Sequence, residues 1–307
     1  MIQKKPDRPI FFIGSPRSGT TLVFEVFAKH PDVSWLMNYN DFFPNTFFIN
    51  SIIPIINNKY LHLIGEKQQY NRTSLLNKYL PKPDECYRFW ATHTPDINFS
   101  RDFLLNKKAT DKTKKRLNNI FYDINRYQKK KRITTKLTGP GRISYLDSIF
   151  SDAIFIHLVR DGRSVVQSLM NVEFWKNKVK EPWFINGLEE VDLNIWEEND
   201  KDPVILTTLL WNKIIETTKN EANNLNNKDK RYLEIKYEDF INNPSQVLKE
   251  MYTFTDLETT DKIIDNSLKG SNILSNMNKK FVSHFSEEKQ NKINNILFKN
   301  LQEFNYL

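Results

Sequence analysis

The feature that most constrains the fold of this 307-residue chain is a short apolar segment followed by a glycine-framed polar turn. Residues 9–13 are apolar, and residues 14–21 then read Gly-Ser-Pro-Arg-Ser-Gly-Thr-Thr. Residues 20–29 carry apolar side chains at helical spacing, so the turn joins a strand to a helix. Two glycines with four residues between them in such a turn match the spacing of phosphate-binding loops. The pair is informative because the chain has only 8 glycines.

A loop of this kind binds anions through its backbone. Glycine permits a tight turn that aims several N–H groups inward, and the following helix adds positive potential at its N-terminus. Arg17 adds a permanent cation that can grip two oxygens. Thr20 stands where ATP-binding loops have lysine, which argues against NTP hydrolysis. The predicted anion-binding residues are Pro16, Arg17, Ser18, Gly19, Thr20 and Thr21.

Strand and helix patterns alternate along most of the chain, which is typical of an α/β protein with a parallel sheet. Further strands are predicted at 132–137, 153–159 and 231–236, and helices at 143–150, 163–170, 203–224, 244–254 and from about 286. We therefore predict a P-loop-type three-layer fold, in which helices flank a central parallel sheet.

The region between about residues 41 and 130 differs from the rest. Residues 41–106 are rich in aromatic side chains and prolines and show no clear strand, and residues 111–130 read as a helix with a basic face. We interpret the region as a mostly helical insertion on the acceptor side of the site. Because no linker-like segment divides the chain, residues 1–307 are expected to form a single domain.

A second polar cluster follows the most apolar predicted strand. Arg160 stands at the end of that strand, Asp161 can cap the next helix, and Ser168 lies about two turns into it. In open parallel sheets ligands bind at the carboxyl ends of the strands. Arg160 and Ser168 can therefore converge on one phosphate group.

Together these segments resemble the sulfotransferases that use 3′-phosphoadenosine 5′-phosphosulfate (PAPS). Residues 16–21 are similar to the family's 5′-phosphosulfate loop, and an arginine at position 17 resembles the tyrosylprotein and bacterial glycan-type branches. The resemblance implies that Arg160 and Ser168, eight residues apart, form the 3′-phosphate site. It also implies that Tyr237, in Lys-Tyr-Glu-Asp-Phe at 236–240, contacts the adenine. PAPS would be the donor and adenosine 3′,5′-bisphosphate the product, with no metal.

The catalytic residues are less clear from the sequence. Arg17 can neutralise the charge that develops on the leaving phosphate during transfer. Lys136 lies close to where the tyrosylprotein branch has a catalytic lysine. Related branches have a glutamate base after the first helix, but residues 35–41 contain none, so Asp41 and Glu85 are the favoured candidates. His62 and His93 are rivals, whereas His157 lies in a buried strand and is interpreted as structural. Lys279 and Lys280 are candidates for the role of the family's C-terminal cofactor loop.

Composition narrows the remaining possibilities. The formal charge of +8 favours an anionic ligand without identifying it. The single cysteine excludes an intrachain disulfide, and no signal peptide or membrane span is recognised, so a cytoplasmic location is expected. The acceptor is expected to be a hydroxyl on a glycan or small molecule.

Three alternatives stay open: a P-loop small-molecule kinase, a basic nucleic-acid-binding protein, and a PAPS-binding protein without activity. The basic runs at 107–116 and 126–132 prompt the second of these. They are not interleaved with aromatic residues in a recognised binding pattern, so we expect no nucleic-acid partner.

Overall fold

The computed structural model describes residues 5–58, 60–67, 75–176, 181–271, 273 and 284–307. Within them, five parallel strands form one sheet in the order β2-β3-β1-β4-β5. The strands are β1 (Ile10–Gly14), β2 (Val33–Trp35), β3 (Arg132–Thr138), β4 (Ile154–Val159) and β5 (Tyr232–Lys236). The predicted three-layer α/β fold with a central parallel sheet is confirmed.

The helices of the described residues lie in the connections between these strands and after β5. They are α1 (Thr20–Phe27), α2 (Asn38–Phe42), α3 (Ile53–Ile56), α4 (Leu75–Tyr79), α5 (Tyr87–His93), α6 (Asp111–Gln128), α7 (Ile143–Ile149), α8 (Gly162–Met170), α9 (Glu173–Lys176), α10 (Glu190–Glu198), α11 (Pro203–Asn223), α12 (Tyr237–Asn242), α13 (Pro244–Phe254), α14 (Asp261–Leu268) and α15 (Glu287–Glu303), with 3₁₀ helices at Phe47–Ile52 and Lys228–Lys230. None of them is long and apolar enough to cross a membrane.

Side-chain alternation along the buried strands builds a core on each face of the sheet. Phe12 of β1 packs in one cluster with α1 and α13, whereas Phe11 packs with α5, α6 and α7 on the other face. Both side chains are fully buried. Burying a phenylalanine contributes about 1.5–3 kcal/mol, so the two faces of β1 anchor both helical layers.

The sequence prediction missed strand β2. It has three residues and, among the described strands, pairs only with β3, at the edge of the sheet. Three residues are too few for a side-chain alternation to be recognised, and the strand is defined by its pairing with residues almost a hundred positions later. Between β2 and β3 the described residues form helices and isolated bridges.

Two predicted helix starts are capped by side chains. The Asp161 carboxylate accepts a hydrogen bond from the Arg163 backbone N–H at the start of α8, and the Ser286 hydroxyl accepts one from Lys289 at the start of α15. Such caps satisfy N–H groups that have no partner within the helix. The cap at Asp161 fixes the direction in which α8 leaves the end of β4.

Candidate functional site

The turn after β1 forms a compact loop at the centre of the sheet. Ser18 donates its backbone N–H to the Ser15 carbonyl over 3.2 Å, and the two hydroxyl groups hydrogen-bond each other. Gly19 precedes α1 with a φ of +83°, and no side chain caps the helix start. The first N–H groups of α1 are therefore directed at the loop, which is the arrangement that binds phosphate-like anions.

Glycine is required at position 19 by its positive φ and also by the lack of space for a side chain. A Cβ atom at this position would lie 2.2 Å from the Tyr237 ring, which packs directly against the glycine backbone. Tyr237 is the first residue of α12, immediately after β5. The close approach brings the end of β5 to the loop that follows β1, although β4 separates the two strands.

Arg17 joins the loop to the second predicted anion site. Its backbone is left-handed, with a φ of +70°, and its Nε donates a hydrogen bond to the Ser168 hydroxyl over 3.0 Å. Arg160 donates from its guanidinium to the Arg17 carbonyl, also over 3.0 Å. The structure thus brings together three residues that are up to 151 positions apart in the chain.

Arg160 also stacks on Tyr237. Its guanidinium carbon lies 4.8 Å from the centre of the Tyr237 ring, a cation–π geometry. Burial lowers the pKa of the Arg160 guanidinium from its ordinary value, although arginine stays charged at physiological pH. A buried cation beside Arg17 creates strong positive potential, so an anion at this position would be stabilised.

A network that the sequence prediction missed supports Arg160 from the other side. Asp161 pairs with Arg163 through two oxygens, and Arg163 also donates to the Tyr306 carbonyl over 2.7 Å. The Tyr306 hydroxyl donates to Glu238 over 2.7 Å, and Glu238 accepts the Asp161 backbone N–H over 3.3 Å. The C-terminal residues therefore close on the strand ends that carry Arg160 and Tyr237. No local sequence signal marks this contact, because it joins positions 68 residues apart.

The predicted lysine lies at the first turn of α1. In the β1–β3 register Lys136 is opposite Phe12, which packs on the face of the sheet that α1 covers. Its Nζ donates to the Thr21 hydroxyl over 2.7 Å and lies 2.8 Å from a Glu85 carboxylate oxygen. Lys136 is only 2% exposed, so its charge is held in place by these two partners.

Glu85 reaches this position because the residues around it are fixed at two strand ends. The Asp84 backbone N–H donates to the Leu36 carbonyl over 2.9 Å, just after β2. The Tyr87 hydroxyl donates to the Thr138 carbonyl over 2.7 Å and accepts the Thr138 N–H over 3.1 Å, at the end of β3. Burial raises the pKa of Tyr87, which keeps this hydroxyl protonated. Glu85 is thereby held over the carboxyl edge of the sheet.

The other candidate bases have different partners. The Asp41 carboxylate accepts the Arg88 backbone N–H over 2.7 Å at the start of α5. Within the described part of the chain no contact joins it to Lys136. His62 is exposed beside Asn57, and His93 is buried with its Nε2 at 2.9 Å from the Pro44 carbonyl oxygen. His157 lies in β4 and pairs with Tyr232 over 2.6 Å.

The remaining predicted residues also have defined places. Pro16 is half-buried in the loop, and Ser18 and Thr20 are buried, with Thr20 beginning α1. Lys279 and Lys280 lie outside the described residues. In the described ranges there is no group of three or more His, Cys, Asp or Glu side chains that could hold a metal ion.

Comparison with known proteins identifies the family of the chain. The model of the sulfotransferase family matches residues 9–261, and the chain belongs to that family. The prediction of a sulfotransferase made from the two anion sites is therefore confirmed at the level of the family. No curated protein is significantly similar to the chain.

Solved structures show the same fold at low sequence identity. The sulfotransferase domain from the curacin biosynthetic pathway is 16% identical with a TM-score of 0.54, and the match covers 96% of this chain and 98% of that one. A sulfotransferase from Mycobacterium avium is 13% identical with a TM-score of 0.56, over 97% and 76% of the two chains. At this identity the likeness extends to the fold alone.

Proposed function

We propose that this enzyme moves a sulfuryl group from PAPS to an acceptor hydroxyl, with Glu85 as the general base. Family membership supports sulfuryl transfer, and the two adjoining anion sites suit a donor with a phosphate at one end and a phosphosulfate at the other. The observation that carries the assignment of residues is the contact of Lys136 with both Glu85 and Thr21.

The donor would be held by the residues at the ends of β1, β4 and β5. The loop amides and Arg17 suit the 5′-phosphosulfate, while Arg160 and Ser168 suit the 3′-phosphate. Tyr237 presents a ring that is already stacked on one cation, and it would contact the adenine. Because Arg17 contacts Ser168 and Arg160, the two anion sites are coupled and the donor would bind as one unit.

Glu85 and Lys136 can act on the two substrates of the transfer, Glu85 on the acceptor and Lys136 on the donor. One Glu85 oxygen contacts Lys136, and the other accepts no hydrogen bond from the described residues, so it is available to an acceptor hydroxyl. Glu85 would take the hydroxyl proton as the acceptor oxygen bonds to sulfur. The bond from sulfur to the leaving phosphate oxygen breaks at the same time, and Lys136 and Arg17 offset the charge that the bisphosphate retains.

For the acceptor we propose a carbohydrate hydroxyl, bound by the region at 41–130 within one sulfotransferase domain in the cytoplasm. Two exposed rings, Phe42 and Phe43, adjoin Asp41, which caps the helix that begins two residues after Glu85. Exposed aromatic faces of this kind stack on sugar rings. A screen of glycans beside phenols as acceptors tests this choice. Transfer to phenols alone would contradict a carbohydrate acceptor and indicate a phenol.

Calorimetric titration with adenosine 3′,5′-bisphosphate, beside ATP with magnesium, tests the donor. We expect the bisphosphate to bind more tightly than ATP, because Arg160 and Ser168 recognise the 3′-phosphate. Radiolabelled sulfate should then move from PAPS to an accepted hydroxyl. A magnesium-dependent preference for ATP would replace this proposal with a kinase. Bisphosphate binding without any transfer would instead indicate a binding protein.

A further inference from the structure

One helical segment of the insertion is apolar on two sides. The 3₁₀ helix Phe47–Ile52 continues directly into α3, and the ten residues from 47 to 56 contain only two polar side chains, Asn50 and Ser51. Their inner side is packed: Ile53 is 1% exposed, and Ile49 and Ile56 pack on the core of the α1 face. The inner side alone is enough to fix the segment on the protein.

The outer side of this segment faces solvent. Phe48, Ile52 and Ile55 follow helical spacing and are 66%, 42% and 66% exposed. The next turn adds three more exposed apolar side chains: Tyr60, Leu61 and Leu63. We call these six residues the apolar ridge. Single exposed apolar side chains are common, but six within sixteen residues are a concentration of the kind that marks binding surfaces.

The helix packed against this segment is basic. The side-chain amide of Gln128, in α6, donates to Asn50 over 2.9 Å, and Phe47 and Arg116 line a cavity of about 590 Å³ between the two elements. α6 carries five cations against two carboxylates, and Lys112, Lys115 and Arg126 are exposed. Neither the donor site nor Glu85 makes use of these charges.

We propose that the apolar ridge and the basic side of α6 dock the enzyme on the surface of a lipid bilayer with anionic head groups. Apolar side chains bordered by cations are the combination that inserts into the acyl boundary while pairing with negative head groups. The charge favours this occupant over a second copy of the chain, because two copies would bring like charges together. An aliphatic ridge offers little to nucleic acid, which binds to aromatic stacking surfaces and cations.

Co-sedimentation of the full chain with vesicles tests the proposal. Vesicles of phosphatidylcholine alone are compared with vesicles of equal parts phosphatidylcholine and phosphatidylglycerol, at low and high salt. We expect binding to the anionic vesicles that weakens as salt rises. Phe48→Ser and Ile55→Ser should each reduce it roughly tenfold. Lys112→Gln and Lys115→Gln should each reduce it about fivefold.

Matched control variants separate docking from misfolding. Phe298→Ser changes an exposed phenylalanine on α15, and Lys249→Gln with Lys262→Gln removes two exposed charges on α13 and α14. These variants should bind vesicles like the unmodified chain. All variants should keep their affinity for adenosine 3′,5′-bisphosphate if they are folded and the donor assignment holds. Vesicle binding does not depend on the donor assignment. The experiment can therefore reject the docking proposal while the donor assignment holds, or the reverse.

Three outcomes would overturn the docking proposal. The first is equal sedimentation with and without anionic vesicles. The second is a dimer in light scattering that Phe48→Ser dissociates, which would make a second copy the occupant. The third is tight binding of a single-stranded oligonucleotide that depends on Lys112 and Lys115 but not on Phe48, which would make nucleic acid the partner of α6.

Discussion

The two sides of the proposed site are built in different ways. The donor side consists of the ends of β1, β4 and β5, where Arg17, Arg160 and Tyr237 lie within three residues of a strand end. The acceptor side consists of a helical insertion whose Glu85 is held by hydrogen bonds to the ends of β2 and β3. The donor residues are thus positioned by the sheet itself, whereas Glu85 depends on a few contacts made by its neighbours. We expect the two sides to respond differently to substitution.

The largest effect should come from the acceptor side. Glu85→Gln keeps the size of the side chain but removes the base, so kcat should fall by about 10²–10⁴. Affinity for adenosine 3′,5′-bisphosphate should change little, because Glu85 is not part of the donor side. Asp41→Asn is the matched control and should keep most of the activity, since its amide oxygen can still cap α5. If Asp41→Asn abolishes transfer and Glu85→Gln does not, the base has been assigned to the wrong carboxylate.

Stability should show a pH dependence that belongs to neither side of the site, because it arises where α11 meets α7. Glu221 accepts the Ile143 backbone N–H at the start of α7, just after the loop that follows β3, and burial raises its pKa from 4.5 to about 7. Between these two values the unfolded chain loses a proton that the folded protein keeps. The free energy of unfolding therefore falls as pH rises, by about 3 kcal/mol in all.

Glu221→Gln should remove this dependence. The variant should be more stable than the unmodified chain above pH 7, and the difference should vanish below pH 4.5, where the carboxyl is protonated in both states. Urea denaturation across this range measures it. A variant that loses stability equally at all pH values would show that the Glu221 carboxylate is not the cause.

On the donor side, Arg160→Ala should weaken binding of adenosine 3′,5′-bisphosphate roughly 10- to 100-fold, the usual value of a hydrogen-bonded charge. Affinity for adenosine 5′-monophosphate should fall much less, since this ligand lacks the 3′-phosphate. Calorimetry with both ligands measures the difference. Equal losses for the two ligands would mean that Arg160 supports the fold of the site and does not recognise the 3′-phosphate.

The smallest effect should come from the C-terminal contact with the donor side. Tyr306→Phe removes the hydroxyl that donates to Glu238. We expect affinity for the bisphosphate to fall by about fivefold, the value of one typical net hydrogen bond, because the Tyr306 hydroxyl acts on the site through Glu238. Affinity for adenosine 5′-monophosphate should hardly change. Tyr39→Phe removes an exposed hydroxyl bonded to the Tyr79 carbonyl and serves as the control. If both variants behave alike, Tyr306 has no particular role at the 3′-phosphate site.

Much of the donor side could be predicted because its signals are local. The glycine-framed turn, the Arg160–Ser168 spacing and the cap at Asp161 each lie within a few turns of one strand end. Parallel strands then bring their carboxyl ends to one edge of the sheet whatever the details of packing. The missed strand β2 shows the limit, because three residues carry too little pattern and only pairing with β3 defines them.

On the acceptor side the sequence left two carboxylates, Asp41 and Glu85, and gave no means of choosing between them. In the structure Glu85 forms an ion pair with Lys136, whereas Asp41 accepts a hydrogen bond from the backbone of α5. This difference depends on hydrogen bonds from Asp84 to Leu36 and from Tyr87 to Thr138, which join residues about fifty positions apart.

The three-layer fold and the position of the proposed anion sites at strand ends could be inferred from the sequence, because hydrophobic periodicity and turn chemistry act over short distances. Three further features follow from tertiary contacts: which carboxylate meets Lys136, how Tyr306 closes on the donor side, and the exposure of the apolar ridge. Each of these depends on contacts between distant segments, and their free energy is shared among many residues with no local pattern.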